Sequence, residues 1–127
     1  MSVFDKKKKI LVVEDEPDIA EALQARLELE EYEVEVAKDG QEGADKARSF
    51  KPDLILLDVM LPKVSGIEVC KVLKADEKTK SIPIVILTAL PHIEDAEQAF
   101  QAGANDFINK PYTNDRLMQK IHKYLPK

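Results

Sequence analysis

Cysteine is almost missing from this chain. Cys70 stands alone, so no internal disulfide and no cysteine-based zinc site can form, which fits a reducing compartment. Cys70 itself reads as a packed helix residue. Long hydrophobic runs are absent too. No apolar stretch approaches the roughly 18 residues that a bilayer span requires, and the first residues lack the apolar core of a secretory signal. The expectation is a cytoplasmic protein with no membrane partner. Positive charge is not in excess: the formal net charge of -5 gives no general attraction for nucleic acid, so any role on DNA would need another domain or chain. Lys6 to Lys9 form the one basic run and read as a solvated flank. The two histidines, His92 and His122, lie 30 residues apart with no metal-ligand spacing, and read as solvated side chains. Linkers, repeats and low-complexity segments are missing.

What is present is a regular alternation. The 127 residues, 44% hydrophobic and 34% charged, suit one globular domain able to bury a core without staples. Residues 1-127 are read as that domain, with a core from about 9 to 125. Four apolar runs each end in a polar group. Ile10-Leu11-Val12-Val13 delivers Glu14 and Asp15. Leu54-Ile55-Leu56-Leu57 delivers Asp58, followed by Pro62 and Gly66. Ile84-Val85-Ile86-Leu87 ends in Thr88, and Phe107-Ile108-Asn109 ends in Lys110-Pro111. Between these runs lie segments of helical period. A first helix starts near Pro17 or Asp18, marked by Ile19, Leu23 and Leu27, and fades at Glu30-Glu31; Glu16 or Asp18 is expected to cap it. Tyr32 to Ala37 alternates valines with glutamates, as a half-exposed edge strand does. Asp39-Gly40 reads as a turn, and a weak helix runs from about Gln41 to Phe50 before Lys51-Pro52-Asp53 breaks it. Ile67, Cys70 and Leu73 mark a third helix, and Pro83 opens the next strand. Pro91-His92 starts a fourth helix with Ile93, Ala96 and Phe100, ended by Gly103. Leu117, Ile121 and Leu125 mark the fifth.

Five βα repeats imply a parallel sheet with helices on both faces, because parallel strands need right-handed crossovers. The fold class is therefore α/β, a single doubly wound (βα)5 domain. Flavodoxin-like sheets of this kind order their strands 2-1-3-4-5 and bind ligands at the strand carboxyl ends, beside the switch point between the first and third. Glu14-Asp15 and Asp58 fall at those two strand ends.

The chemistry follows from charge. Three carboxylates held close together repel one another, and a hard cation with oxygen ligands relieves the repulsion. Magnesium suits the set, since it takes one or two carboxylates, several waters and phosphate oxygens. Lys110 and the Thr88 hydroxyl could then stabilise charge on a transferring phosphoryl group, with Asp58 as nucleophile. Ser65 and Ser81 fall away from the strand carboxyl ends and do not compete for that role.

Taken in order, Ile10 to Pro17, Asp53 to Pro62, Gly66, Ile86-Leu87-Thr88-Ala89 and Lys110-Pro111 resemble a response-regulator receiver domain, from about Lys9 to Leu125. The resemblance implies that Asp58 is the phosphoacceptor and that a histidine kinase or histidine phosphotransfer protein is the donor. It further implies that Asp15, Asp58 and the Met60 carbonyl ligate Mg2+, with Glu14 acting through water. Thr88 and Lys110 would contact the phosphoryl group, and Phe107 would be the aromatic that turns inward on activation, filling the space that Thr88 leaves. The implied output is a changed surface on the fourth helix, fifth strand and fifth helix, read by a downstream effector, with only self-phosphorylation and self-dephosphorylation as activity.

Several positions depart from the family pattern. Glu14 stands where many receivers have aspartate, which bears more on metal affinity than on mechanism. Met60 and Leu90 flank the implied path of the hydrolytic water and offer it no hydrogen bond, which implies a long-lived phosphorylated state. Arg116 and Ala96 occupy places where winged-helix members carry an acid and an arginine for dimerisation, so a monomer or weak dimer is expected. Two other classes remain. A phosphatase with an aspartate nucleophile would carry Asp-x-Asp after the first strand and a substrate cap, where this chain has Glu14-Asp15-Glu16. A scaffold whose interactions ignore phosphate would not need the set Asp58, Thr88 and Lys110.

Overall fold

Five short strands carry the apolar runs: β1 (Lys9–Val13), β2 (Glu33–Ala37), β3 (Leu54–Asp58), β4 (Ile84–Thr88) and β5 (Asp106–Asn109). All pair in parallel in the order β2-β1-β3-β4-β5, as the alternation of strand and helix predicts. The helices between them are α1 (Pro17–Leu29), α2 (Gly40–Phe50), α3 (Gly66–Ala75), α4 (Ile93–Gln101) and α5 (Asn114–Tyr124). The computed structural model describes residues 6–61, 64–89 and 93–126, without the side chains of 93–96. Pro62, Leu90, the helix start at Pro91-His92 and the side chains of Ile93 and Ala96 thus lie outside the described residues.

Successive strand residues point to opposite faces, so each run feeds two cores. Leu11, Val13, Ile55, Leu57, Ile84 and Ile86 pack with residues of α2, α3 and α4. Ile10, Val12, Leu54, Leu56, Val85 and Leu87 pack with residues of α1 and α5. The runs are continuous rather than alternating because both faces are covered. Each fully buried aliphatic side chain contributes about 1.5–3 kcal/mol of transfer free energy, which makes the sheet the rigid part of the molecule. β2 lies at the edge, and its burial is patchy, as its glutamates lead one to expect.

Local chemistry corrects several expectations. Asp39-Gly40 is not a free turn but the start of α2: the Asp39 carboxylate accepts the Glu42 N–H at 2.8 Å and caps the helix. A Cβ on Gly40 would lie 2.6 Å from Val69 Cγ2, so the missing side chain lets α2 approach α3. Glu16 stands at the N-cap of α1 but its side chain makes no cap bond, and Asp18 lies in the first turn, where it complements the helix dipole. Ile19 and Phe100 are not core residues; they are 39% and 45% exposed. Ala20 and Ala99 take the inward positions, since small side chains let a helix lie close to the sheet. Nor is Lys9 part of a solvated flank. It opens β1, and its Nζ donates to the Phe50 carbonyl at 3.2 Å while lying over the Phe50 ring. Cys70 is fully buried, and His122 is exposed.

One polar cluster ties α5 to β5. Asp106, 6% exposed, accepts from Lys120 Nζ at 2.8 Å, Lys123 Nζ at 3.0 Å, the Tyr124 hydroxyl at 3.0 Å and the Phe107 N–H at 2.9 Å. Burial alone pushes its carboxyl up, but these bonds outweigh it and hold the group down at about 2, against 3.8 when unperturbed. A depressed carboxyl stabilises the fold above the unfolded value, and that stability is lost as pH falls toward 2. Asp106→Asn should therefore lower stability by about 2 kcal/mol at neutral pH. Denaturant titrations at falling pH should show the gap from wild type close.

Candidate functional site

The carboxyl ends of β1, β3, β4 and β5 share one edge of the sheet, and that edge gathers the polar groups. Glu14 follows β1 and is 2% exposed; its N–H donates to the Ala37 carbonyl, which fixes the chain as it leaves the strand. Asp58 closes β3 and is 5% exposed. One carboxylate oxygen each from Glu14, Asp15 and Asp58 lies within 4.8 Å of the others. Lys110, after β5, reaches back across the edge: its Nζ stands 3.0 Å from Asp58 Oδ2 and 3.5 Å from Glu14 Oε1. Its position is set by its own backbone, since its N–H donates to the Thr88 carbonyl. Thr88 ends β4 and is buried.

The loop after β3 is held tightly. Met60 N–H donates to Asp58 Oδ1 at 2.9 Å, and the Gly66 N–H donates to the Val59 carbonyl at 3.1 Å. A Cβ on Gly66 would fall 2.4 Å from the Asp58 carbonyl oxygen and 2.8 Å from Val59 Cα, both backbone atoms that cannot step aside. Glycine is therefore what allows the start of α3 to close over Asp58. Ser65 caps that helix through the Glu68 N–H, a role consistent with its place away from the strand ends. The Met60 side chain is 64% exposed.

Electrostatics make this edge unlike the rest of the molecule. Burial, a hydrogen bond shared with Asp58 and the charge of Asp58 push the Glu14 carboxyl up to about 7, against the opposing pull of the Glu16 N–H and Lys110. Burial tends to lower the Lys110 ammonium, but Asp58 and Glu14 outweigh it and hold the group above its ordinary value. Such a set has acceptor oxygens in surplus and one cation facing them. Three acids this close fit a hard cation with oxygen ligands, which would offset both the burial and the Asp58 charge that raise Glu14. A cavity of about 460 Å³ opens beside the acids, lined in part by Glu14, Asp15, Pro17, Glu21 and Lys38.

Of the residues singled out in the sequence, Glu14, Asp15, Asp58, Lys110 and the Met60 backbone thus meet, with Thr88 on the adjoining strand end. Phe107 is half-buried on β5, its ring edge-on to Phe100 with centroids 5.8 Å apart. Tyr112 went unremarked in the sequence. Burial raises its hydroxyl, with smaller and mutually opposed influences from the charges of Lys110, Glu14 and Asp58. Its signal was its position directly after Lys110-Pro111.

Fold and site together define a doubly wound α/β domain with an acidic, cation-compatible centre at its switch point. A family model described as the response regulator receiver domain matches residues 10–122, and the chain belongs to that family, the receivers of two-component signalling. It is 48% identical over 118 residues to the alkaline phosphatase synthesis transcriptional regulatory protein PhoP of Bacillus subtilis, covering 93% of this chain and 48% of PhoP. It is 41% identical over 117 residues to the DNA-binding dual master transcriptional regulator RpaA of Synechocystis, covering 92% of this chain and 48% of RpaA. The chain thus spans about half the length of these relatives. Among solved structures, it resembles the receiver domain of the sensor histidine kinase PA1611 from Pseudomonas aeruginosa, which has a magnesium ion coordinated in its active-site cleft. The TM-score is 0.87 at 30% identity, over 96% of this chain and 100% of that one. The BeF3-activated receiver domain of Klebsiella pneumoniae RstA matches with a TM-score of 0.86 at 31% identity, over 94% and 100%.

A carboxyl raised in the folded state favours folding at low pH, and that contribution fades as pH rises through its folded value. For Glu14 the window runs from 4.5 to about 7. Without divalent metal, Glu14→Gln should therefore raise stability by about 1–3 kcal/mol above neutral pH and by little below pH 5. Thermal melts of both proteins, with and without a divalent cation, check this; the cation should stabilise wild type more at high pH than at low.

Proposed function

We propose that this receiver accepts a phosphoryl group on Asp58 from a histidine kinase or histidine phosphotransfer protein, and that the modified domain acts on a downstream effector. The observation that carries this reading is the approach of Lys110 Nζ to 3.0 Å from Asp58, facing a carboxylate cluster fit for a cation. In the proposed transfer, a new bond joins an Asp58 oxygen to phosphorus as the phosphorus–nitrogen bond to the donor imidazole breaks. The Met60 N–H holds Oδ1 and orients the carboxylate. Lys110 exchanges its contact with Asp58 for one with phosphoryl oxygens, and the Thr88 hydroxyl donates to the same group. Asp15, Asp58 and the Met60 carbonyl would hold Mg2+, with Glu14 acting through a water. When bound, Mg2+ supplies the positive charge that lets an anionic phosphoryl group approach three acids. The PA1611 receiver, with magnesium coordinated in its cleft, and the BeF3-activated RstA receiver support this reading.

The activity is that of a signalling switch rather than of an enzyme with turnover. Residues 1-127 form the receiver domain, working in the cytoplasm; in this chain nothing is assigned to bind nucleic acid. Thr88 and Phe107 would couple phosphorylation to the face of α4, β5 and α5. Arg116, exposed on α5, stands where a dimerising member would carry an acid, which supports a monomer or weak dimer.

Incubated with Mg2+ and a small phosphoryl donor, wild type should gain one phosphoryl group by intact mass and Asp58→Asn none. Absence of any adduct on wild type, with no binding of a beryllofluoride mimic, would favour a phosphate-independent scaffold. The apolar Met60, together with Leu90, should leave the hydrolytic water without an orienting bond. Decay of the adduct should then be slow, and Met60→Glu or Met60→Asn should alter its lifetime; loss within seconds in wild type contradicts this.

A further inference from the structure

Across the sheet from the acids, the amino edge gathers an excess of positive charge, five lysines against Glu33 and Asp53. A cavity of about 430 Å³ there is lined by Lys6 to Lys9 and Lys51, with Glu33 and Asp53. Two of these groups are used internally: Lys9 Nζ bonds the Phe50 carbonyl, and Asp53 Oδ2 accepts the Lys9 N–H at 2.8 Å. Lys6, Lys7, Lys8 and Lys51 are exposed, and among the described residues none has a carboxylate within ion-pair distance. Elsewhere Lys46, Lys71, Lys80 and Lys120 each face an acid. In a chain of net charge -5 these four lysines therefore make a local positive field around a concave surface.

Lys51 adds a second observation. It closes α2 in the left-handed conformation, φ 54°, where glycine is the usual residue. A lysine there carries backbone strain and places a fourth charge at the mouth of the cavity. The helix dipole accounts for a preference for a cation at this end, but not for its convergence with Lys6 to Lys8.

We propose that this amino-edge cavity binds a polyphosphate chain, free or as part of a nucleoside polyphosphate. Several compact ammonium groups around a small concavity match closely spaced phosphates, which lysine binds as point charges. The concavity suits a short anion better than a duplex. The exposed large apolar side chains Leu29, Met60 and Phe100 are not among its lining residues, so a lipid surface would gain no apolar insertion from them. The site lies at the opposite strand ends from Asp58, so it does not depend on the proposed phosphotransfer.

The test is a calorimetric and amide-NMR titration of the whole chain with inorganic triphosphate, nucleoside triphosphate and orthophosphate, without divalent metal, in wild type and Asp58→Asn. Expected is saturable one-site binding of the two polyphosphates in both proteins, mapped to amides around Lys8 and Lys51, weakening with salt, with orthophosphate much weaker. Equal affinity for both polyphosphates assigns the chain itself; tighter nucleotide binding assigns the nucleotide. Lys51→Gly, which suits the backbone conformation and keeps the fold, combined with Lys7→Gln should weaken binding about tenfold. Unsaturable shifts, unchanged affinity in that variant, or shifts confined to the Asp58 edge would overturn the proposal.

Discussion

The structure turns on the confinement of three like-charged carboxylates at one end of a buried parallel sheet. Burial away from water, and then the hydrogen bond and charge of Asp58, displace the Glu14 carboxyl upward. Lys110 offsets part of that displacement from the far end of the chain, 96 residues from Glu14. The contact exists because β5 lies at the sheet's outer edge beside β4, and because the backbone of Lys110 is tied to Thr88. A site of this kind holds stored electrostatic cost, and a cation or a new anion on Asp58 changes how the cost is distributed. The sensitivity of the edge to bound charge is therefore a consequence of burying Glu14 and Asp58.

The remainder of the fold supplies the rigidity that such a site needs. Strands covered on both faces place the reactive groups only at their ends, so apolar burial and chemistry do not compete for the same positions. Gly66 lets the start of α3 close against the backbone of Asp58 and Val59. At the other end, Asp106 ties β5 to α5 through three hydrogen bonds and holds in place the strand that delivers Lys110. The two edges of the sheet thus differ in sign: acids crowd one, unpaired lysines the other.

The element order and the sheet order were legible in the sequence because apolar runs ending in Glu14, Asp58, Thr88 and Lys110 alternate with helical periods, and parallel strands admit few connections. Errors fell where one signal had two meanings. Asp39-Gly40 suits a turn and a helix start equally, and only the bond from the Glu42 N–H decides. Ile19 and Phe100 fit the helical spacing, but a shift of one residue around the helix puts Ala20 and Ala99 inward instead. Lys9 looked like one of four equivalent lysines until β1 carried it to the end of α2.

By itself, the sequence determined the fold class, the identity of the groups at the strand ends and membership of the receiver family, because these depend on local periodicity and on residue type. Only the tertiary structure decided distances: that three carboxylate oxygens fall within 4.8 Å, and that Lys110 Nζ stands closer to Asp58 than to Glu14. Those quantities depend on how strands distant in the chain register against one another and how deeply their ends are buried. Charge interactions follow separation and burial, which residue order does not state.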